Sequence, residues 1–323
     1  MYSSRIVYTG SYVPERIVTN DELSKIVDTN DEWISSRTGI KKRHVSEGEN
    51  ASDLATKTAN AIIERGNINP LDIELIIVAT VSSDYSTPST ACVVQANIGA
   101  KNAVAFDITA ACSGFVYALS VADKFIKTGV YKNVMVIGTE VLSKLTDWTD
   151  RTTCVLFGDG SAGAFVERSE SGGIIAEDIG SDGEKGMSLT ANHILPSNMF
   201  NGMEKEAPSC INMDGKAVFQ FATRQVPKSI NKIIEETKIS IDDIKYVVPH
   251  QANYRIIEVI SRKTGIPMDK FYINIENYAN TSSATIPIAL DEMVQAGMLE
   301  RGDKILITGF GGGLTWGSML IEW

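Results

Sequence analysis

Phe106-Asp-Ile-Thr-Ala-Ala-Cys112-Ser-Gly-Phe115 joins two kinds of periodicity at a cysteine. Before it, Ala103–Ile108 (Ala-Val-Ala-Phe-Asp-Ile) is short, mostly apolar and β-prone, which predicts a strand. After it, Phe115–Ile126 carries apolar residues at helical spacing and stops near Gly129, which predicts a helix. Cys112 therefore sits where a strand turns into a helix N-terminus. Unpaired backbone N–H groups and the positive end of the helix dipole lie there, and both favour the nucleophilic thiolate. Alone, the segment supports two readings: a nucleophile, or a small cysteine buried in the core.

Working outward, the strand-like and helix-like segments alternate, which predicts an α/β fold. They also repeat. Ile73–Thr80 resembles Ile244–His250, and Val104–Ile108 resembles Tyr272–Ile275. The helix around Leu119 matches the one around Leu290, and Val134–Ile137 matches Lys304–Ile307. The offset stays at 170 or 171 residues, which points to two similar α/β halves packed together. The expected division is 1–170, carrying Cys112, and 171–323, carrying His250 and Asn280. The stretch Glu167–Gly215 is polar and rich in Gly, Ser and Asn, so long loops are expected there. Ligands of α/β sheets bind at the carboxyl ends of strands. Cys112, His250 and Asn280 each end a strand of this pattern, and pseudo-twofold packing would gather them at one site.

Composition narrows the function. The 323 residues, 43% of them hydrophobic, suffice for one large domain or two intimate ones. The four cysteines (Cys92, Cys112, Cys154, Cys210) form no CxxC pair and no disulfide-framework spacing, and the N-terminus is not signal-like, so a cytoplasmic location is expected. No apolar run reaches the roughly 20 residues of a membrane span. The net charge of −10 argues against nucleic-acid binding. Only His44, His193 and His250 can supply an imidazole.

Five stretches carry a wider resemblance: Asp107-Ile-Thr-Ala-Ala-Cys112-Ser-Gly-Phe115, Phe157-Gly-Asp-Gly-Ser-Ala-Gly163, His250-Gln-Ala-Asn253-Tyr-Arg255, Tyr278-Ala-Asn280-Thr-Ser-Ser-Ala284 and Phe310-Gly-Gly-Gly-Leu-Thr-Trp-Gly317. On them the chain resembles the β-ketoacyl-[acyl-carrier-protein] synthase III family, initiating condensing enzymes of the thiolase-like superfamily. The resemblance implies a thiolase-like fold layered helix–sheet–helix–sheet–helix, a homodimer, and a Cys-His-Asn triad at Cys112, His250 and Asn280. The elongating synthases of the superfamily use Cys-His-His, so Asn280 points to type III. Ala279 stands where the family usually has Gly, and Ala tolerates fewer backbone conformations.

The implied chemistry follows from the side chains. A cysteine suits a thioester, because thiol–thioester exchange is close to isoenergetic. Decarboxylation of a malonyl thioester then makes an enolate without a strong base. A neutral His250 Nε2–H and the Asn280 amide suit the enolate oxygen, each donor worth about 2.7–4 kcal/mol in the barrier. The Cys112 N–H and a backbone N–H from Gly311–Gly313 form the expected oxyanion hole for the tetrahedral intermediates, and the resemblance implies Gly312. No cofactor and no metal are expected; the expected substrates are acyl-CoA and malonyl-acyl carrier protein.

Trp33 and Arg37 lie at i, i+4, one face of a short helix, where an indole and a guanidinium can stack a base and hold a phosphate. Trp33 also reads as half-buried core. The resemblance implies coenzyme A binding by Trp33, Arg37 and Arg151, with Asn253 lining the pantetheine channel. Gln251, Arg255, Arg262 and Lys263 are expected to meet the acidic carrier protein, although a basic helix face is as often simply solvated. Gln220 replaces a basic residue often found there in the family. The acyl pocket is expected from Thr87, Leu142, Phe157, Leu189 and Phe310, with Thr87 reaching across the dimer. Two rivals remain open: a related condensing enzyme or acyltransferase of secondary metabolism, and a non-catalytic scaffold that binds the carrier.

Overall fold

The computed structural model describes residues 2–194, 196–204 and 209–323. Nine strands build two mixed sheets: β1 Ser3–Tyr12, β2 Leu75–Ala79, β3 Val104–Ile108, β4 Asn133–Glu140, β5 Gly160–Ser169, β6 Gly173–Ser181, β7 Ile244–Pro249, β8 Lys304–Gly311 and β9 Thr315–Glu322. The first sheet runs β1-β5-β4-β2-β3 and the second β6-β9-β8-β7. β2 is parallel to both β3 and β4, and β7 is parallel to β8. The order and sense of the second sheet repeat those of the first, with the fifth strand missing.

Among the described residues, seven helices of eight residues or more complete the layers: α1 Asp31–Thr38, α2 Ala51–Gly66, α3 Thr90–Asn97, α4 Gly114–Lys127, α5 Gly215–Thr237, α6 Tyr254–Thr264 and α7 Thr285–Gln295. Alternation along the strands decides what each sheet face buries. Leu75, Ile77 and Ala79 of β2 join the cluster around Phe115 and Leu119 of α4 and Leu290 and Met293 of α7. Ile76 and Val78 point the other way, under Ala59 and Ile62 of α2 and Val94 of α3. In the second sheet, Ile305 and Ile307 face the central helices, while Leu306 and Val247 pack under α5 and α6. The result is the helix–sheet–helix–sheet–helix layering of the thiolase-like fold, with α4 and α7 sandwiched between the sheets.

Two glycines let the halves meet. A Cβ at Gly138 would stand 2.3 Å from the Ser283 carbonyl oxygen, and one at Gly309, 171 positions on, 3.1 Å from the Cys112 carbonyl oxygen. The repeat is less complete than the sequence suggests. At the position equivalent to β3, the described residues make an isolated bridge between Phe271 and Val247 rather than a fifth strand. The polar stretch after Glu167 is also not all loop. It holds β6, which pairs antiparallel with β9. Glu177 and Asp178, ion-paired to Lys124 and Lys232 on opposite faces, mask that strand in the sequence.

Candidate active site

Cys112 lies in the 3₁₀ turn Ala111–Ser113 between β3 and α4. Ala111 takes φ +46°, a left-handed value that turns the chain sharply before the cysteine. Neither the Cys112 N–H nor the Gly312 N–H has a backbone acceptor among the described residues. Gly311 lets its strand end approach the cysteine closely: a Cβ there would stand 2.6 Å from the Cys112 nitrogen.

His250 follows β7 and is buried. Its Nδ1 lies 2.7 Å from the Thr285 hydroxyl, and its ring meets Phe310 edge-on at 5.2 Å between centroids. Burial pushes its pKa down to about 3, so the imidazole is neutral at physiological pH. Asn280 is held at three points. Its N–H donates to the Leu156 carbonyl at 2.9 Å, its carbonyl accepts from the Gly158 N–H at 3.0 Å, and its Oδ1 accepts from the Ser282 N–H at 2.8 Å. With Oδ1 occupied, Nδ2 is left as the free donor of the carboxamide.

Cys112, His250, Asn280, Asn253 and Phe310 line one cavity of about 240 Å³. A second cavity, about 420 Å³, lies on the other side of Cys112 and is walled by Val81, Leu142, Ile211 and Gly312. Phe157 and Leu189 line both, so Cys112 stands at the junction. Val218, Phe219 and Ile211 extend these walls and carry no motif that marks them in the sequence.

The thiol's environment departs from the expectation of a helix terminus favouring thiolate. Burial pushes Cys112 up to about 12, against the neighbouring Ser282 hydroxyl, and the Glu140 carboxylate adds to the rise. α4 itself begins only at Gly114, and desolvation outweighs the helix end.

The other expected residues fall in four places. The Arg37 and Arg151 guanidinium carbons sit 4.7 and 5.2 Å from the Trp33 ring centroid, and Arg151 also donates to the Asp28 carbonyl at 2.7 Å. Arg255, Arg262 and Lys263 are exposed on α6, with Arg255 donating to the Ser36 carbonyl and Lys263 to the Thr223 carbonyl. Gln251 does not belong with them. It is 1% exposed, its amide donates to the Pro249 and Tyr272 carbonyls, and its oxygen accepts from the Asn274 N–H. With both ends used in the core, it presents nothing to a docking protein. Thr87 is exposed and lines neither cavity of its own chain. Among the described residues no group of three or more His, Cys, Asp or Glu could hold a metal ion, and no helix is long and apolar enough to cross a membrane.

A duplicated α/β fold whose halves bring a cysteine, a neutral imidazole and an oriented carboxamide to one cavity defines a thiolase-like condensing enzyme. Residues 106–183 match the family model of 3-oxoacyl-[acyl-carrier-protein] synthase III, and residues 234–323 match its C-terminal model. The chain is 56% identical to the β-ketoacyl-[acyl-carrier-protein] synthase III of Clostridium acetobutylicum, over 100% of this chain and 99% of that one. The crystal structure of 3-oxoacyl-[acyl-carrier-protein] synthase III from Aquifex aeolicus superposes with a TM-score of 0.92 at 44% identity, covering 99% of this chain and 100% of that one. The priming β-ketosynthase of the R1128 polyketide pathway superposes at 0.90 with 34% identity, covering 99% and 96%. The chain belongs to the β-ketoacyl-[acyl-carrier-protein] synthase III family: it is a condensing enzyme of the acyltransferase class that initiates fatty-acid synthesis.

Proposed function

We propose that Cys112 accepts the acyl group of an acyl-CoA primer and that His250 and Asn280 drive its condensation with malonyl-acyl carrier protein. The observation that carries this reading is the position of Cys112 between two cavities, one lined by His250 and Asn280 and the other walled in part by Val81, Leu142 and Ile211. In the first half-reaction a bond forms from Cys112 Sγ to the acyl carbon, the thioester bond to CoA breaks, and the thiol proton ends on the CoA sulfur. The Cys112 and Gly312 N–H groups receive the tetrahedral oxyanion. In the second, the malonyl carboxylate leaves as CO2 and its bond electrons form the enolate. His250 Nε2–H and Asn280 Nδ2–H donate to the enolate oxygen. The enolate carbon then attacks the acyl group and frees Cys112 as the 3-oxoacyl-carrier forms.

Trp33, Arg37 and Arg151 suit the nucleotide end of CoA, and Asn253 the pantetheine arm. Arg255, Arg262 and Lys263 offer an acidic carrier a basic surface despite the net charge of −10. A homodimer is supported by β3, an edge strand whose Val104 is 48% exposed, and by the exposed loop at Thr87. In that dimer Thr87 would cap the partner's 420 Å³ cavity, and its small side chain would admit primers longer than acetyl.

The test is intact-mass spectrometry after incubation with acetyl-, butyryl-, hexanoyl- and octanoyl-CoA, followed by malonyl-acyl carrier protein. One acyl group per chain is expected, discharged when the malonyl-carrier is added. Absence of acylation with every primer would sink the catalytic reading and leave a carrier-binding scaffold.

A further inference from the structure

We propose that Thr285 is a positioning residue: its hydroxyl donates to His250 Nδ1 and so holds the imidazole in the tautomer that carries its proton on Nε2, facing the cavity. The inference rests on the reading of His250 as a hydrogen-bond donor in the condensation.

Thr285 is the first residue of α7 and is buried. Its Oγ1 has two polar neighbours, His250 Nδ1 at 2.7 Å and the Ser282 carbonyl oxygen at 3.0 Å, and only one proton to give. If the proton goes to Ser282, His250 must donate from Nδ1, and Nε2 meets the cavity as a bare lone pair. If it goes to Nδ1, Nε2 carries the ring proton. The Ser282 carbonyl already accepts the Thr285 backbone N–H, so it does not depend on the hydroxyl. Nδ1 has no other partner among the described residues and lies at the shorter distance. Both arrangements pair Nδ1, but 2.7 Å is short for an N–H···O bond and suits a hydroxyl donor, which favours the second. A neutral, deeply buried ring is also a weak proton acceptor and serves better as a donor. The same turn fixes the companion donor, because the Ser282 N–H takes Asn280 Oδ1 and turns Nδ2 free. Ser282 and Thr285 thus orient the two donors expected to meet the enolate.

The experiment is a long-range proton–nitrogen correlation on the full enzyme labelled with ¹⁵N-histidine. With three histidines in the chain, His250 is assigned from the spectrum of His250→Ala. The wild type should show His250 protonated on Nε2, and a ring protonated on Nδ1 overturns the proposal. Kinetics supply the second arm. Thr285→Val keeps the shape, removes the hydroxyl, and should lower kcat for malonyl-carrier decarboxylation by roughly 10- to 100-fold, less than the 10²–10³ of a donor lost outright. Acylation of Cys112 should stay near the wild-type rate, and Thr285→Ser should restore decarboxylation. Near wild-type decarboxylation in Thr285→Val with an unchanged His250 spectrum also overturns it. If Thr285→Val does not fold, the wild-type spectrum still decides. If His250→Ala itself decarboxylates normally, the reading of His250 has failed, which is a separate result.

Discussion

Ala111–Ser113 and Ser282–Ala284 are both single 3₁₀ turns that lead into the two central helices, and Ala111 and Ser282 take nearly the same left-handed φ, +46° and +48°. The turns stand 171 positions apart, so Ser283 occupies in one half the place that Cys112 holds in the other. What faces each turn differs. Opposite Cys112 is Gly311, which packs its backbone against the cysteine and sets no side chain over the thiol. The equivalent position opposite Ser283 is Glu140, and its carboxylate reaches the Ser283 hydroxyl. It accepts from the Ser283 hydroxyl at 3.1 Å, the Ser82 hydroxyl at 2.7 Å and the Val81 N–H at 3.1 Å. His250 and Asn280 line the cavity beside Cys112, and their counterparts at the same offset are Ala79 and Thr109. One scaffold thus makes a cavity where it meets glycine and a packed polar knot where it meets glutamate. The backbone turn supplies the geometry, and the residue across from it decides whether the turn's central side chain is hydrogen-bonded or left free.

The sharpest way to break this comparison is to remove each turn's central side chain. Cys112→Ala should abolish acylation completely. Ser283→Ala should still be acylated at Cys112, losing about 1–3 kcal/mol of stability because Glu140 loses a buried partner. Peptide mapping after acyl-CoA treatment locates the acyl group, and denaturant melts give the stability. Acyl transfer to Ser283, or to Cys92, Cys154 or Cys210, would show that the open and closed sides have been assigned wrongly.

A second, smaller effect tests how the knot acts on the nucleophile. Burial holds the Cys112 thiol up to about 12, and the Glu140 charge contributes in the same direction. The sign is that of an acid made harder to ionise: thiolate is scarce at neutral pH and grows about tenfold per pH unit. Iodoacetamide should therefore label the exposed Cys92 and Cys210 before Cys112 at pH 7. Cys112 labelling should climb through pH 9 without a plateau. Glu140→Gln removes the charge, and the Cys112 rate at fixed pH should rise several-fold. A plateau near pH 7 would mean that the helix terminus outweighs burial after all.

Much of this was legible in the residues. The offset of 170–171 predicted the duplicated sheets, and the strand ends placed Cys112, His250 and Asn280 together, because pattern and turn chemistry are local. The gaps are where tertiary context overrides the local signal. Gln251 sits beside His250 in a stretch that resembles a surface motif, yet the carbonyls of Pro249 and Tyr272 draw it into the core. β6 is too polar to announce itself, since its ladder with β9 carries it. Thr285 lies one residue beyond the motif that holds Asn280, and its importance depends on a ring 35 positions earlier. The direction of the Cys112 shift was misread because a helix N-terminus is visible in sequence and the depth of burial is not.

The smallest expected effect concerns Ala279, the departure from glycine beside Asn280. It takes φ +55° and ψ −154°, a region that costs a side chain about 1–3 kcal/mol. Ala279→Gly relieves that strain. It also removes a buried methyl packed near Ile34, Ile40 and Ile275, worth about 0.8 kcal/mol. The unfolded chain gains freedom as well, costing about 0.4–1 kcal/mol. These terms nearly cancel, so denaturant melts should put the variant within about 1 kcal/mol of the wild type. Decarboxylation should stay near the wild-type rate, because Asn280 keeps its contacts to Leu156, Gly158 and Ser282 whatever precedes it. A loss of activity with stability intact would show that the Ala279 methyl helps aim the carboxamide. The cavity beside Cys112 would then depend on that one methyl.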